Sequence, residues 1–384
     1  MCGEVYWNKH TFLVKCCVTH NNRLNFALSV IMANLVETAK ILIQQPEVHA
    51  SIVLYITIAI LAVRFYFGVF TNLGNFIIFV AGLLITKRLS LGRSVRFTST
   101  PSLNGKTVII TGGNTGIGLE TAKQLAKYGA EVFIACRDEG RGKKALEEIK
   151  IYAKKPEKIF FEQLDLASLD NVSKFVKNWG EKKIDILINN AGVMMCPYSL
   201  TKDGFELQFG TNHLGHFYLT TSLLDNMNEN GRIVNVSSLA HIGAPKNIDW
   251  TDLANKKNYN AVTAYAISKI SNIYFTTILQ EKLNAQRKKI SVFAVHPGYV
   301  RTELMRHFGP VFRTLLAPLA YLIAKNSFIG AQTSIHCAAA PLDQLHPGEY
   351  YFDCEVGTPT KLAQDKQMAD SLWKISEDFI NKKN

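Results

Sequence analysis

The sequence predicts an α/β protein, a doubly wound parallel sheet preceded by an N-terminal helical region that anchors in a membrane. Three observations carry this. From residue 104 onward, β-rich runs alternate with helical stretches, the pattern of βαβ units in a parallel sheet. The first of these runs opens into a glycine-rich turn, TGGNTGIG at Thr111–Gly118, directly before a helical stretch. Ahead of the alternating region lie two long apolar runs with almost no charge.

The organisation is read in four segments: residues 1–47, basic and amphipathic; 48–86, hydrophobic and membrane-anchoring; 87–103, a linker; and 104–384, the α/β domain, including a lid at 301–330. Over 24–43, Leu24, Leu28, Ile31, Leu35, Ala39 and Leu42 recur at helical spacing, which predicts an amphipathic helix. The first apolar run is Ala50–Phe70, interrupted by Arg64. A bilayer core needs roughly 20 apolar residues, so this run spans if Arg64 reaches an interface. The second, Thr71–Thr86, is short for a span. The residues leave open a thin second span, a re-entrant segment, or a pair of buried core helices. About fifty residues precede the first run, unlike a cleavable signal.

In the α/β region KTVIITGG, AEVFIACRD, KIFFEQLDL, IDILINNAG, GRIVNVSS and ISVFAVHPG read as strands, with GEYYFD as a last edge strand. GIGLETAKQLAKYG and GRGKKALEEIKIYAKK read as the first two helices. Ligands of such sheets bind at the carboxyl ends of the strands.

With 47% hydrophobic and 19% charged residues, the 384-residue chain is apolar but globular. Its net charge is +12, and residues 1–100 alone carry nine basic and three acidic side chains. Positive charge densest beside apolar runs fits a membrane surface better than nucleic acid. The seven cysteines show neither disulfide nor metal spacing, so reduced thiols in a cytosol-facing domain and no metal site are expected.

Tyr265 and Lys269, in AYAISKISN, share one helix face a turn apart. Alone, the pair reads first as a packed aromatic beside a surface lysine. The glycine turn is likewise a weak nucleotide signal by itself, strengthened by its place between strand and helix.

Taken together, the motifs resemble the short-chain dehydrogenase/reductase family over about residues 104–355, most like its retinol dehydrogenase branch in ACRD, NHLGHF, RIVNVSSLAH and the insert APKNIDWTDL. The resemblance implies a Rossmann fold and a nicotinamide dinucleotide. It implies a catalytic set of Asn212, Ser238, Tyr265 and Lys269. It also implies a cofactor-binding set of Gly112, Asn114, Gly116, Ile117, Gly118, Arg137, Asp165, Asn189, Ala191, Gly192, Tyr265, Lys269, Pro297, Gly298 and Thr302. Asp165 would meet the adenine and HPGYVRT the nicotinamide. Ser238 would hold the substrate oxygen, Lys269 the ribose, and Asn212 a water relay. His213, His216, His241 and His296 are expected to be packing or surface histidines, and Trp250 to pack the insert.

A free tyrosine titrates near ~10. A lysine about 4 Å away, at an effective dielectric of about 20, offers roughly 4 kcal/mol to the phenolate, with desolvation opposing it. Tyr265 is therefore the expected acid/base. At the end of the second strand, where an NAD site carries an acid, stands Cys136, followed by Arg137. An arginine pairs with a 2′-phosphate, so NADP(H) is the expected cofactor; Asp138 close by weighs the other way.

The expected function is a membrane-bound NADP-dependent oxidoreductase interconverting a lipophilic alcohol and its aldehyde or ketone. The alternative is a silent, membrane-tethered NADP-binding sensor or scaffold. Expected partners are a lipophilic small molecule and membrane lipid, with homo-oligomerisation open. Lys87, Arg88, Arg93 and Arg96 follow the apolar runs, and Lys9, Lys15, Arg23 and Lys40 precede them. That distribution favours a hairpin with both ends, and the domain, in the cytosol; the family branch implies the endoplasmic reticulum, with a mitochondrial targeting stretch the competing reading. In 301–330, Leu315, Leu316, Leu319, Leu322 and Ile323 form an apolar stripe near Pro318, flanked by Arg306, Arg313 and Lys325. The lid is expected either to lie on the bilayer or only to line the substrate pocket.

Overall fold

The computed structural model describes residues 35–66, 72–95, 97, 100–301, 304 and 321–381. The chain forms two compact units, Met1–Gln44 and Gln45–Asn384. In the first, residues 35–43 form helix α1; the remainder of the amphipathic stretch expected over 24–43 lies outside the described residues.

The second unit opens with α2 (Pro46–Tyr66) and α3 (Asn72–Ser90), an antiparallel hairpin. Near its tip the Arg64 Nε donates to Asn75 Oδ1 at 2.8 Å. Midway, a Cβ on Gly82 would collide with the Thr57 side chain, so glycine is what lets the two helices approach this closely. Ile52, Tyr55, Ile56, Phe76, Ile77 and Leu84 are exposed on the outer faces. Pro46–Arg64 is, among the described residues, the one helix long and apolar enough to cross a membrane, and only 17% of its apolar window is buried. A core helix would be mostly buried, and this one is not. The linker starts later than residue 87, because α3 runs on through Lys87 and Arg88; basic side chains in a last turn complement the negative end of the helix dipole.

Eight strands among the described residues form one sheet in the order β3-β2-β1-β4-β5-β6-β7-β8. They are β1 (Thr107–Thr111), β2 (Glu131–Cys136), β3 (Ile159–Gln163), β4 (Ile184–Asn189), β5 (Met227–Val236), β6 (Ser291–His296), β7 (Tyr350–Phe352) and β8 (Glu355–Val356). All neighbours are parallel except β7 and β8. The sheet edge is thus β8, two residues beyond GEYYFD, and not β7. Val108, Ile109 and Ile110 are fully buried, as a strand covered by helices on both faces requires.

The helices that matter to the site are α4 (Gly116–Lys127), α5 (Glu139–Lys150) and α6 (Leu169–Trp179). Next is α7, built of Leu207–Phe209, a π-helical turn Gly210–Leu214 and Gly215–Ser222, and then α8 (Ala261–Ala285). They are followed by α9 (Ser327–Gly330), α10 (Gln332–Ala339) and α11 (Lys366–Asn381). Asn260 caps α8 by accepting from the Val262 and Thr263 amides, which fixes where Tyr265 and Lys269 fall. Trp250 is buried against Phe209 and Tyr274, holding the insert to the domain. The order of strands reverses between β1 and β4, and that is where a doubly wound sheet opens a crevice.

The four histidines are all buried and none lies on the surface. His213 Nε2 meets Ser376 Oγ at 3.0 Å. His216 bridges Thr111 Oγ1 at 2.8 Å and the Asn212 carbonyl at 3.0 Å. His241 contacts the Ser238 carbonyl, and His296 Nδ1 accepts from the Leu239 amide. Burial pushes His213 down to about 3 and His216 and His241 to about 4, and holds His296 well below its ordinary value.

These imidazoles are neutral in the fold, so on acidification the unfolded chain binds protons first. Stability is therefore lost as pH falls from about 6.5, the free value. The thermal unfolding midpoint is expected to drop steadily from pH 7 to about 4.5, and His213→Gln to flatten that slope. An unchanged slope in His213→Gln would clear this imidazole of the effect.

Candidate active site

A cleft of about 660 Å³ lies at the carboxyl ends of the strands. Thr115, Gly116, Ile117 and Gly118 line one end of it. Thr115 makes no side-chain cap to α4, so the first-turn amides stay available to an anion. A Cβ on Gly118 would collide with the Gly112 carbonyl and the Asn190 side chain, so the turn closes only with glycine there. Gly112, Asn114, Asp165, Ala191, Gly192, Pro297 and Gly298 share the lining. This cradle fits a dinucleotide.

At the end of β2, Cys136 is a buried thiol pushed up to about 11 by burial. Arg137 is exposed on the cleft wall, and so is Arg141, one turn further on. Asp138 is engaged elsewhere. Its carboxylate accepts the Arg141 amide at 2.8 Å and caps α5. Arg141 escaped the sequence reading, although its spacing from Arg137 was a usable signal.

Asn189 does not face the cleft. Its side chain is buried under the sheet end, donating to Thr220 Oγ1 at 2.8 Å and Asn235 Oδ1 at 2.7 Å. Asn190 lines the cleft instead and donates to the Thr111 carbonyl at 2.8 Å. Successive residues at a strand end point to opposite faces, which motif matching alone does not resolve. Thr302 lies outside the described residues, as do lid residues 302–303 and 305–320.

Ser238, Tyr265 and Lys269 converge on the cleft floor. Ser238 stands two residues beyond the end of β5, and its hydroxyl hydrogen-bonds the Tyr265 phenol. Lys269 Nζ lies 5.6 Å from the Tyr265 ring centre and donates to the Val236 carbonyl at 2.9 Å. Both side chains are buried. Burial raises Tyr265 to about 12, against the Ser238 hydrogen bond, and lowers Lys269 to about 8. In the chain itself burial is the dominant influence on the phenol, the opposing desolvation expected from the sequence.

Asn212 sits in the π-helical turn of α7, fully buried behind the cleft. Its Oδ1 accepts the Val193 amide at 2.8 Å, and its Nδ2 donates to the Val193 carbonyl and to Ser268 Oγ, each at 2.9 Å. The turn aims this amide across to α8, a use of π-bulges common at functional sites. The lining also includes the apolar side chains of Val193, Met194, Pro197, Leu207 and Leu304, with Tyr198.

The family model described as short chain dehydrogenase matches residues 106–310. Retinol dehydrogenase 11 of Homo sapiens is 42% identical over 310 residues, covering 79% of this chain and 94% of that protein. Retinol dehydrogenase 12 of Mus musculus is 44% identical over 289 residues, 74% and 89% of the two chains. A crystal structure of an uncharacterized protein from Mycobacterium Paratuberculosis superposes with a TM-score of 0.62 at 34% identity, over 75% of this chain and 98% of that one. With its parallel sheet, glycine cradle and Ser238–Tyr265–Lys269 cluster, the chain belongs to the short-chain dehydrogenase/reductase family, oxidoreductases that work with NAD(P), and within it is retinol dehydrogenase-like.

Proposed function

We propose that the protein is a membrane-tethered, NADP(H)-dependent oxidoreductase that interconverts a lipophilic alcohol and its aldehyde or ketone. The observation that carries the chemistry is the convergence of Ser238, Tyr265 and Lys269 on the cleft, with the Lys269 Nζ 5.6 Å from the Tyr265 ring centre. Bound nicotinamide supplies or takes the hydride. The chain's own residues handle the oxygen and the proton. Ser238 donates to the substrate oxygen, and Tyr265 gives up its phenolic proton as negative charge grows there. A phenol held near 12 is fully protonated at neutral pH, the form that reduction requires. The Lys269 ammonium, one helical turn away, stabilises the phenolate left behind. Asn212 fixes the Val193 backbone and α8 in register, and the water relay assigned to it is part of this reading.

Arg137 and Arg141 on the wall, with Asp138 committed to its cap, favour a 2′-phosphate over a bare ribose. Val193, Met194, Pro197, Leu207 and Leu304 in the cleft lining support a lipophilic substrate, as do relatives named retinol dehydrogenases. The exposed apolar faces of α2 and α3 support insertion as a hairpin, and basic Lys87, Arg88 and Arg93 at its return end support a cytosolic domain. The endoplasmic reticulum is the membrane we assign by family likeness.

Tyr265→Phe is expected to lower turnover of a lipid carbonyl by about 10²–10⁴-fold while NADPH binding, followed by nucleotide fluorescence, survives. Turnover near that of the wild type would remove Tyr265 from this role. In the reductive direction kcat/KM is expected to fall above about pH 8, as Lys269 loses its proton; a profile flat to pH 10 would contradict that. Arg137→Ala is expected to cut the NADPH-over-NADH preference by about tenfold, the loss of one charge-assisted pair. Equal kcat/KM for NADH and NADPH in the wild type would refute the cofactor assignment. A lipid-carbonyl panel that yields no turnover at all would favour a silent nucleotide-binding protein.

A further inference from the structure

The loop Pro297–Val300 that lines the cleft is held from behind by one buried lysine. Lys325 runs beside it in a short parallel bridge with Val300. Its amide donates to the Tyr299 carbonyl at 2.8 Å, and its carbonyl accepts the Arg301 amide at 3.0 Å. The side chain is 4% exposed, with Nζ 3.4 Å from Glu47 Oε1 and 3.2 Å from Asp353 Oδ1.

Each carboxylate has a second duty. Glu47 Oε1 accepts the Tyr299 amide at 3.2 Å, and Asp353 Oδ1 accepts the Arg93 amide at 2.7 Å. Glu47 is in the first turn of α2, and Arg93 follows the end of α3. Both ends of the apolar hairpin therefore meet at one ammonium, which is also paired by its backbone to the cofactor loop. Two glycines make the meeting possible. Gly298 has φ +87°, and a Cβ there would stand 2.5 Å from Glu47 Oε1 and 2.9 Å from Lys325 Nζ. Gly92 has φ +62°, and its Cβ would strike Asp353 Oδ1 and lie 2.9 Å from the same Nζ.

We propose that Lys325 and Glu47 are positioning residues for the nicotinamide loop, so that the hairpin is a working part of the cofactor site and not a detachable tether. This rests on the oxidoreductase reading for the loop's role. Breaking a buried ion pair on one side leaves an uncompensated charge. The loop amide that Glu47 holds would then be free to open.

The test uses the full chain in detergent or lipid discs, with Glu47→Ala, Glu47→Gln and Lys325→Met. Glu47→Ala and Lys325→Met are expected to speed hydrogen exchange at the 299 and 301 amides about tenfold. They are expected to raise the Kd and KM for NADPH about tenfold with kcat within about threefold. Glu47→Gln keeps an acceptor for the Tyr299 amide and is expected to recover most of both effects. A purely structural role would lower the unfolding midpoint without this split between KM and kcat. If Lys325→Met does not fold, the Glu47 pair decides. Wild-type exchange and wild-type NADPH affinity in Glu47→Ala would overturn the proposal. Exchange and Kd are read without a carbonyl substrate, so a lack of turnover would count against the oxidoreductase reading and not against this coupling.

Discussion

The site depends on the burial of one ammonium group. Lys269 lies in the protein interior, where a charge must be surrounded by oxygen or be lost. Its Nζ finds the Val236 carbonyl at the end of β5, and Asn272 Nδ2 donates to that same carbonyl at 3.1 Å. Ser237 Oγ in turn donates to the Lys269 carbonyl at 2.7 Å. These bonds staple the end of β5 to the middle of α8. Ser238 follows directly, its hydroxyl accepting the Ala240 amide at 3.1 Å beside the phenol one turn back along α8. Asn212 ties α7 to the same helix through Ser268, whose hydroxyl donates to the Tyr265 carbonyl at 2.8 Å. The geometry of the site is a by-product of satisfying polar groups that cannot reach water.

That origin explains which parts of the protein are legible in the sequence. The glycine turn, the strands and the Tyr265–Lys269 spacing are local, and each follows from a few consecutive residues. The alternation of elements was enough to place the cleft at the strand ends. What failed was directional or distant. Asn189 and Asn190 are chemically identical neighbours, and only the pleat of β4 decides which one meets the cleft. The position of the Tyr265 titration needed burial, which spacing does not report: a lysine at i+4 suggested a lowered value, and burial is the dominant influence. β8 is two residues long and exists only because β7 offers an open edge, so no periodicity announces it.

The contacts of the hairpin with the α/β domain were illegible for the same reason. Glu47, Lys325 and Asp353 come from three remote stretches of chain, none bearing a motif. Arg64, by contrast, looked like an interruption in an apolar run. In the fold it is a terminus, bonded to Asn75 at the tip, where the chain turns back.

That tip gives the hairpin a fixed reach. From Glu47 to Arg64 the helix rises about 26 Å at 1.5 Å per residue. One end is moored to the loop that lines the cleft and the other carries a guanidinium. On the membrane reading, the hairpin is a gauge of bilayer thickness. Hydrocarbon of roughly 27 Å, as in thin intracellular bilayers, lets the arginine reach the far headgroups upright. A thicker membrane must thin locally or leave the arginine in hydrocarbon, and any pull on the tip is delivered at Glu47, beside the loop that lines the cleft.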